Sequence, residues 1–480
     1  MNVIFRIEAN NSIGLGHLMR AFSLAHWLSK EYKCTFVISD KSISIKNEIE
    51  KRGYVAQLIS YSEDTLEDAI RTCSLIEKLD DSVAYIVVDD YRLDEAWESY
   101  CSDRLKINMV VIDDLDDRPH NCDYIIDGSL GRCETSYARS TINKNKFFGI
   151  KYCLLSPYYR ELRKDAIHRR KLDSGVNNIL VSFGATDPKN FSLKALKAIK
   201  ESCFNGSVTV ITTRYNKNIK TIEEYKNKDV QLLIDHDDIP SLIINADLCI
   251  GALGISLLER SCLGLPSICL KVAENQNYNA TSAFDFGISD VIDEDDIVDS
   301  INKNINKEVS ERRILMNHLM STVDGLGAYR VAIKCFGLMP SVQLRELKYS
   351  DSESLFEWQN QPYAREYSRN SSVPSLEEHN EWIRLSLNDE RRHMWIIMAD
   401  GNEAGYVRLD DKVDNYEVSI LIDSCFQGLG IARGALEELK MKTEKPIQAF
   451  IHKNNVASLR MFLATGFEYK GDNYYQWSPE

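Results

Sequence analysis

The stretch NSIGLGHLMR, Asn11 to Arg20, lies between an apolar run, Val3 to Ile7, and a helix-like run, Leu18 to Leu28. A glycine-rich turn between a first strand and a first helix opens a doubly wound α/β domain, because the backbone there approaches a ligand closely and the helix dipole favours an anion. Gly14 and Gly16 supply that turn. A phosphate site alone has little need of a histidine, yet His17 stands in the first turn of the helix. An imidazole titrates near neutrality, which suits it to take a proton from water. A dinucleotide fingerprint would need a third glycine where Met19 stands, so the turn does not read as a nicotinamide site, although Asp40 closes the second strand run as the fingerprint's acid would.

Outward from this turn the chain repeats one pattern. Val3–Ile7, Cys34–Ser39, Ala84–Asp90, Asn108–Asp114 and Cys122–Asp127 are strand-like runs, with amphipathic stretches at Met19–Lys30 and Leu66–Leu79 between them. Apolar runs that end in aspartate and alternate with helices predict a buried parallel sheet whose ligands lie at the strands' carboxyl ends. Asp89, Asp90, Asp113 and Asp114 fall at those ends, as loop-capping residues or as Mg²⁺ ligands, the former being the commoner use. A second series follows: 178–187, 207–213, 230–235, 246–254 and 266–271. The segment from Phe147 to Arg170 connects the two, and a substrate cleft is expected between them. Near Gly337 to Pro340 the pattern changes to antiparallel strands, with a hairpin over 394–410 turning at Asp400-Gly401. The expected domains are 1–155, 156–336 and 341–480.

The chain has 480 residues and a net charge of −14, which argues against a nucleic-acid or anionic-membrane binder. Its 12 cysteines are scattered without a CxxC pair, and Cys262 and Cys269 fit no zinc spacing. The N-terminal residues do not read as a signal peptide and no run reaches the roughly 18 apolar residues of a membrane span. The expectation is a cytoplasmic protein with reduced thiols and no metal.

In the second series, Gly251 and Gly254 form a turn after a strand, with Glu259 inside the helix that follows. A carboxylate there can accept from both hydroxyls of a ribose. Gln276 and Asn279 can donate to phosphate or sugar, and Gly184 sits in a further phosphate-capable turn, Ser182 to Asp187. This half resembles the nucleotide half of GT-B proteins, such as the UDP-N-acetylglucosamine transferase of lipid II synthesis. FRIEANNSIGLGHLMRAFSLA (5–25) resembles the start of the UDP-sugar hydrolases of pseudaminic acid synthesis, over about 1–335. Glu8, Ala185 and the turn Gly251 to Ser256 depart from that family's usual residues. The resemblance implies two Rossmann-like domains in a GT-B arrangement. It makes His17 the general base for water at the anomeric carbon, and it assigns Gly14, Gly16, Arg20, Gly184, Gly254, Glu259, Gln276 and Asn279 to UDP-sugar binding.

In the last domain Gln427, Gly428, Gly430 and Ala432 resemble the QxxGxA pyrophosphate loop of GNAT acetyltransferases, and Asn455 and Ser458 their second signature. Bare N–H groups at a helix start grip the coenzyme A pyrophosphate. The resemblance implies an α+β fold with acetyl-CoA as co-substrate, and Glu417 as the base for an amine. Phe462 stands where many relatives have a tyrosine acid, leaving Tyr474, Tyr475 or water. Trp358, Trp382 and Trp395 read as core rather than as a sugar pocket. Acetylation of a UDP-linked amino sugar followed by loss of UDP are successive steps of that pathway, so one chain carrying both is chemically coherent. The alternatives are a GT-B glycosyltransferase with an attached acetyltransferase, and a binding protein with one inactive domain.

Overall fold

The computed structural model describes residues 1–9, 15–133, 135, 137, 145–172, 175–270, 277–369 and 372–479, with the side chains of 277–279 not among them. The chain divides into two compact units, Met1–Phe336 and Gly337–Glu480.

The first unit contains two parallel sheets. β1 (Asn2–Ile7), β2 (Lys33–Ser39), β3 (Val55–Ile59), β4 (Val83–Asp89), β5 (Asn108–Ile112), β6 (Tyr124–Asp127) and β7 (Asn145–Phe148) run in the order β3-β2-β1-β4-β5-β6-β7. β8 (Asn178–Ser182), β9 (Ser207–Thr212), β10 (Val230–Ile234), β11 (Leu248–Ala252), β12 (Ser267–Leu270) and β13 (Asp290–Ile292) run in the order β10-β9-β8-β11-β12-β13. Both orders are doubly wound, so each sheet has a topological switch point, between β1 and β4 and between β8 and β11. The strands next to those points are buried on both faces, as their Val/Ile composition requires: every residue of Asn2–Ile7 is buried. The two Rossmann-like sheets expected from sequence are therefore present. β3, β7 and β13 extend beyond the runs read from sequence, and all three are sheet edges.

The connection holds two short helices, Pro157–Glu161 and Arg163–Lys171. The second belongs to the second half, since Arg163 donates to the carbonyls of Cys262, Val323 and Met320, and Arg170 to those of Leu263, Ala246 and Ile243. The last helix, Gly327–Phe336, returns to the first half: Tyr329 packs on Trp27 at 4.6 Å and Phe336 on Tyr85 at 4.7 Å between ring centroids. Two glycines permit the crossing. A Cβ on Gly327 would lie 2.0 Å from the Cys153 carbonyl oxygen, and one on Gly128 would lie 2.5 Å from Cys153 Cα.

A buried charge cluster fixes the loop after β5. His120 is fully buried, with Nδ1 donating to Glu98 Oε1 at 2.6 Å and Nε2 3.7 Å from Asp113 Oδ2. Burial opposes the imidazolium, but hydrogen bonds and attraction from Asp113 and Glu98 outweigh it and lift the imidazole to about 9. Asp113 also takes Arg118 at 3.0 Å and the Tyr137 hydroxyl at 2.9 Å.

The second unit is one sheet. β14 (Val342–Glu346), β15 (Arg392–Ala399), β16 (Asn402–Asp411), β17 (Tyr416–Ile422), β18 (Ile447–Phe450), β19 (Glu468–Gly471) and β20 (Tyr474–Trp477) run in the order β14-β15-β16-β17-β18-β20-β19. All pairs are antiparallel except β17 with β18, which are joined only at Tyr416–Ile447 and Glu417–Gln448 and then part. The hairpin turns at Asp400 and Gly401, both at positive φ, as a two-residue turn requires. Trp358 is buried in the core and Trp382 packs at its edge. Among the described residues no helix is long and apolar enough to cross a membrane.

Gly327→Ala is expected to cost about 2–3 kcal/mol, because the three nearest atoms it meets, O, N and C of Cys153, are all backbone and cannot yield; an unchanged denaturant midpoint would contradict the close approach. The pair His120–Glu98 gives a second expectation. A histidine pKa raised from 6.5 to about 9 contributes stability that is full below pH 6.5 and is lost as pH rises through about 9. Thermal melts from pH 7 to pH 10 should show a loss on the order of 2 kcal/mol that His120→Gln abolishes. Equal slopes in both proteins would show that the imidazole is already neutral.

Candidate functional site

The helix Gly16–Leu28 begins at the first switch point, and β4 ends there with Asp89. Among the described residues its first turn has no side-chain cap and no acidic residue, which suits its N–H groups to an anion. Gly16 is its first residue, and an added Cβ there would meet nothing within 4 Å. Gly14 lies outside the described residues.

His17 is buried at 6% exposure. Its Nδ1 is 3.1 Å from the Asp89 carbonyl oxygen and 3.4 Å from Asp89 Oδ1, and both are acceptors only. The ring must therefore carry its proton on Nδ1, which leaves Nε2 as a lone pair with no protein partner among the described residues. The Tyr91 ring packs edge-on against His17 at 4.6 Å.

Arg20, expected at the UDP-sugar, is engaged by carboxylates of its own chain. It forks onto Asp89, with Nε and NH2 each 2.5 Å from a carboxylate oxygen, and NH1 is 2.8 Å from Asp114 Oδ2. A guanidinium shared by two carboxylates is not a cation offered to a diphosphate; it holds the ends of β4 and β5 together beside His17. Burial opposes its charge, but Asp89 and Asp114 keep it firmly protonated. Counting Arg20 against those two aspartates leaves one negative charge beside the imidazole. The strand-end aspartates thus serve arginines: Asp90 pairs with Arg92 at 2.7 Å, and Glu8 joins Arg6 at 3.0 Å while accepting from Ser39 and Ser42.

At the second switch point, Gly254 precedes the helix Ile255–Cys262, whose N-terminus also has no side-chain cap. Arg260 is buried and braces this turn from below, donating to Ala252 O at 2.9 Å, Ser256 Oγ at 3.2 Å and Ser267 Oγ at 2.9 Å. Burial pushes Glu259 up to about 7, against a hydrogen bond from Tyr159 on the helix Pro157–Glu161. The Ser182–Asp187 turn is joined to a helix that its own aspartate caps. The helix after it starts at Phe191, and the Asp187 carboxylate takes the N–H groups of Phe191 at 2.8 Å and Ser192 at 2.9 Å. That helix start is filled by its own chain, and Gly184 is left as an exposed glycine at φ 81°. Gln276 lies outside the described residues; Asn279 lies in the helix Asn277–Asp285, its side chain also outside them.

In the second unit a cavity of about 1370 Å³ opens where β17 and β18 part. Gln427, Gly428, Gly430, Ala432, Asn455, Ser458, Glu417 and Phe462 all line it. Gly428 and Gly430 have φ of 71° and 80°, which curls the loop so that successive N–H groups converge ahead of the uncapped helix Ile431–Lys440. Asn455 has a second duty, since its side chain accepts from Ser458 N at 3.1 Å and caps the helix Val456–Ala464. Phe462 is buried against Phe467, Tyr474 Oη accepts from Arg369, and Tyr475 packs on Tyr469. Glu417 faces Arg369 at 2.6 Å, a partner the sequence pattern did not show.

Comparison with known proteins agrees with this division. Residues 341–468 match the family described as Acetyltransferase (GNAT) domain. An uncharacterized protein of Methanocaldococcus jannaschii is 24% identical, over 98% of this chain and 97% of its own. The UDP-2,4-diacetamido-2,4,6-trideoxy-beta-L-altropyranose hydrolase of Campylobacter jejuni is 23% identical over 51% of this chain and 81% of its own. The crystal structure of MurG from Acinetobacter baumannii matches 70% of this chain and all of its own at a TM-score of 0.50 and 11% identity, a likeness of fold alone. The chain is an enzyme that joins a GT-B-like unit, homologous in part to a UDP-sugar hydrolase, to a GNAT acetyltransferase domain.

Proposed function

We propose that the chain acetylates the 4-amino group of a UDP-4-amino-4,6-dideoxy-N-acetyl-β-L-altrosamine from acetyl-CoA, and then removes UDP from the resulting UDP-2,4-diacetamido-2,4,6-trideoxy-β-L-altropyranose. The hydrolase and acetyltransferase similarities motivate the pairing. The observation that carries it is the tautomer imposed on His17 at the switch point.

In the first unit, Nε2 of His17 takes a proton from water as the water oxygen bonds the anomeric carbon. The carbon–oxygen bond to UDP breaks on the opposite face, inverting that centre. The Asp89 carboxylate steadies the imidazolium. UDP leaves as a stable anion, so a strong acid is not required, and the open starts of the helices Gly16–Leu28 and Ile255–Cys262 receive its charge. Glu259 accepts from the ribose hydroxyls in its ionised form. In the second unit, Gln427 to Ala432 hold the coenzyme pyrophosphate. Glu417 takes the proton of the attacking amine, and the thiolate is protonated by solvent, since Phe462 cannot donate.

A glycosyltransferase would share the GT-B-like fold but need a sugar acceptor. UDP release from the amino sugar nucleotide, followed over time with no acceptor, separates the readings. The expected result is UDP only when acetyl-CoA is present. His17→Asn should then release coenzyme A normally while UDP formation falls about 10²-fold or more. Hydrolysis by His17→Asn at the normal rate, or coenzyme A without UDP from the unaltered enzyme, would overturn the hydrolase assignment.

A further inference from the structure

Glu417 stands on the last rung that β17 shares with β18, where the sheet opens into the cavity. Its carboxylate is 2.6 Å from Arg369 NH1 and 3.9 Å from Lys412 Nζ. The Arg369 guanidinium also lies 4.4 Å from the centroid of Phe450 and 5.8 Å from that of Tyr474, and donates to Tyr474 Oη at 3.1 Å. One carboxylate with two aromatic rings is the chemistry of a cation cage. What fills it here is a side chain of the same chain.

We propose that this cage is the docking site for the acceptor's protonated amine, and that Arg369 is a built-in occupant the amine must displace before acetyl transfer. The proposal rests on the reading above that the acceptor is an amine. Three observations favour displacement. Arg369 is 50% exposed, so its pair with Glu417 is screened and weak. It lies between the helices Pro362–Glu366 and Leu376–Leu387 rather than inside either, so its departure breaks no helix. Arg369, Glu417 and Phe450 all line the cavity that also takes in the Gln427–Ala432 loop, so an ammonium in the cage shares one space with the cofactor loop. A guanidinium is also an inert placeholder, because it does not surrender a proton at working pH. An ammonium in its place can: one N–H proton passes to Glu417 and the freed lone pair bonds the thioester carbon. The carbon–sulfur bond then breaks, the nitrogen sheds its second proton to solvent to become the amide, and the thiolate takes a proton from solvent.

The test is Arg369→Met, which keeps an apolar stem against Phe450 and removes the competing charge. The KM for the amino sugar nucleotide should fall about fivefold, the scale of one exposed ion pair. Inhibition by the analogue bearing a hydroxyl in place of the amine should not change. Calorimetric titration with propylammonium, in the presence of coenzyme A, should show tighter binding to Arg369→Met than to the unaltered protein. A KM that rises would mean that Arg369 contacts the substrate directly, and equal propylammonium binding in both proteins would mean that the cage holds no external cation; either overturns the proposal. If the unaltered enzyme acetylates no amino sugar, the functional reading fails, and the propylammonium titration decides the cage independently.

Discussion

Everything at the candidate site of the first unit depends on how β4 ends. Asp89 is fully buried beside the first switch point and serves two partners at once. Its carbonyl and one carboxylate oxygen receive His17 Nδ1–H, and its carboxylate fork holds Arg20. Arg20 passes the constraint to Asp114 on the loop after β5, and the Tyr91 ring packs edge-on against the His17 ring. An imidazole without those partners could present either nitrogen, and half its orientations would be useless as a base.

Anion binding rests on a different kind of charge. The first unit offers the starts of two helices without side-chain caps among the described residues, at Gly16 and Ile255, and the second unit offers another at Ile431. Such dipoles stabilise an anion without a mobile side chain and without titrating. The contrast with the helix beginning at Phe191 is instructive, since a single aspartate within its own turn satisfies the N–H groups that a ligand would need. Three arginines of the first unit serve architecture: Arg163 and Arg170 bind carbonyls across the second half, and Arg260 braces the Gly251–Ser256 turn.

Much of this was legible in the sequence where burial dictates composition. Central strands must be apolar on both faces, so Val3–Ile7, Ala84–Asp90 and Ile179–Val181 announce themselves. β3, β7 and β13 did not, because edge strands are half exposed and carry residues such as Gln57, Lys146 and Asp290. The glycine turns and the signature residues of the acetyl-CoA loop were readable because local backbone geometry demands them. Side-chain partnerships were not. Arg20 is 69 positions from Asp89, Glu417 is 48 from Arg369, and nothing local marks either pair. The same limit hid Asp187, which looks like a phosphate-loop residue until its own helix claims it.

The central claim is that His17 is held as a base with its proton on Nδ1 and its lone pair on Nε2. The most direct measurement is the ¹⁵N NMR spectrum of the His17 ring in histidine-labelled protein, assigned by comparison with His17→Asn, at a pH where the ring is neutral. Protonated Nδ1 with an unprotonated Nε2 is the predicted result. A ring protonated at Nε2 would mean that the Asp89 contact does not govern the tautomer, and His17 would then have no lone pair to offer the water.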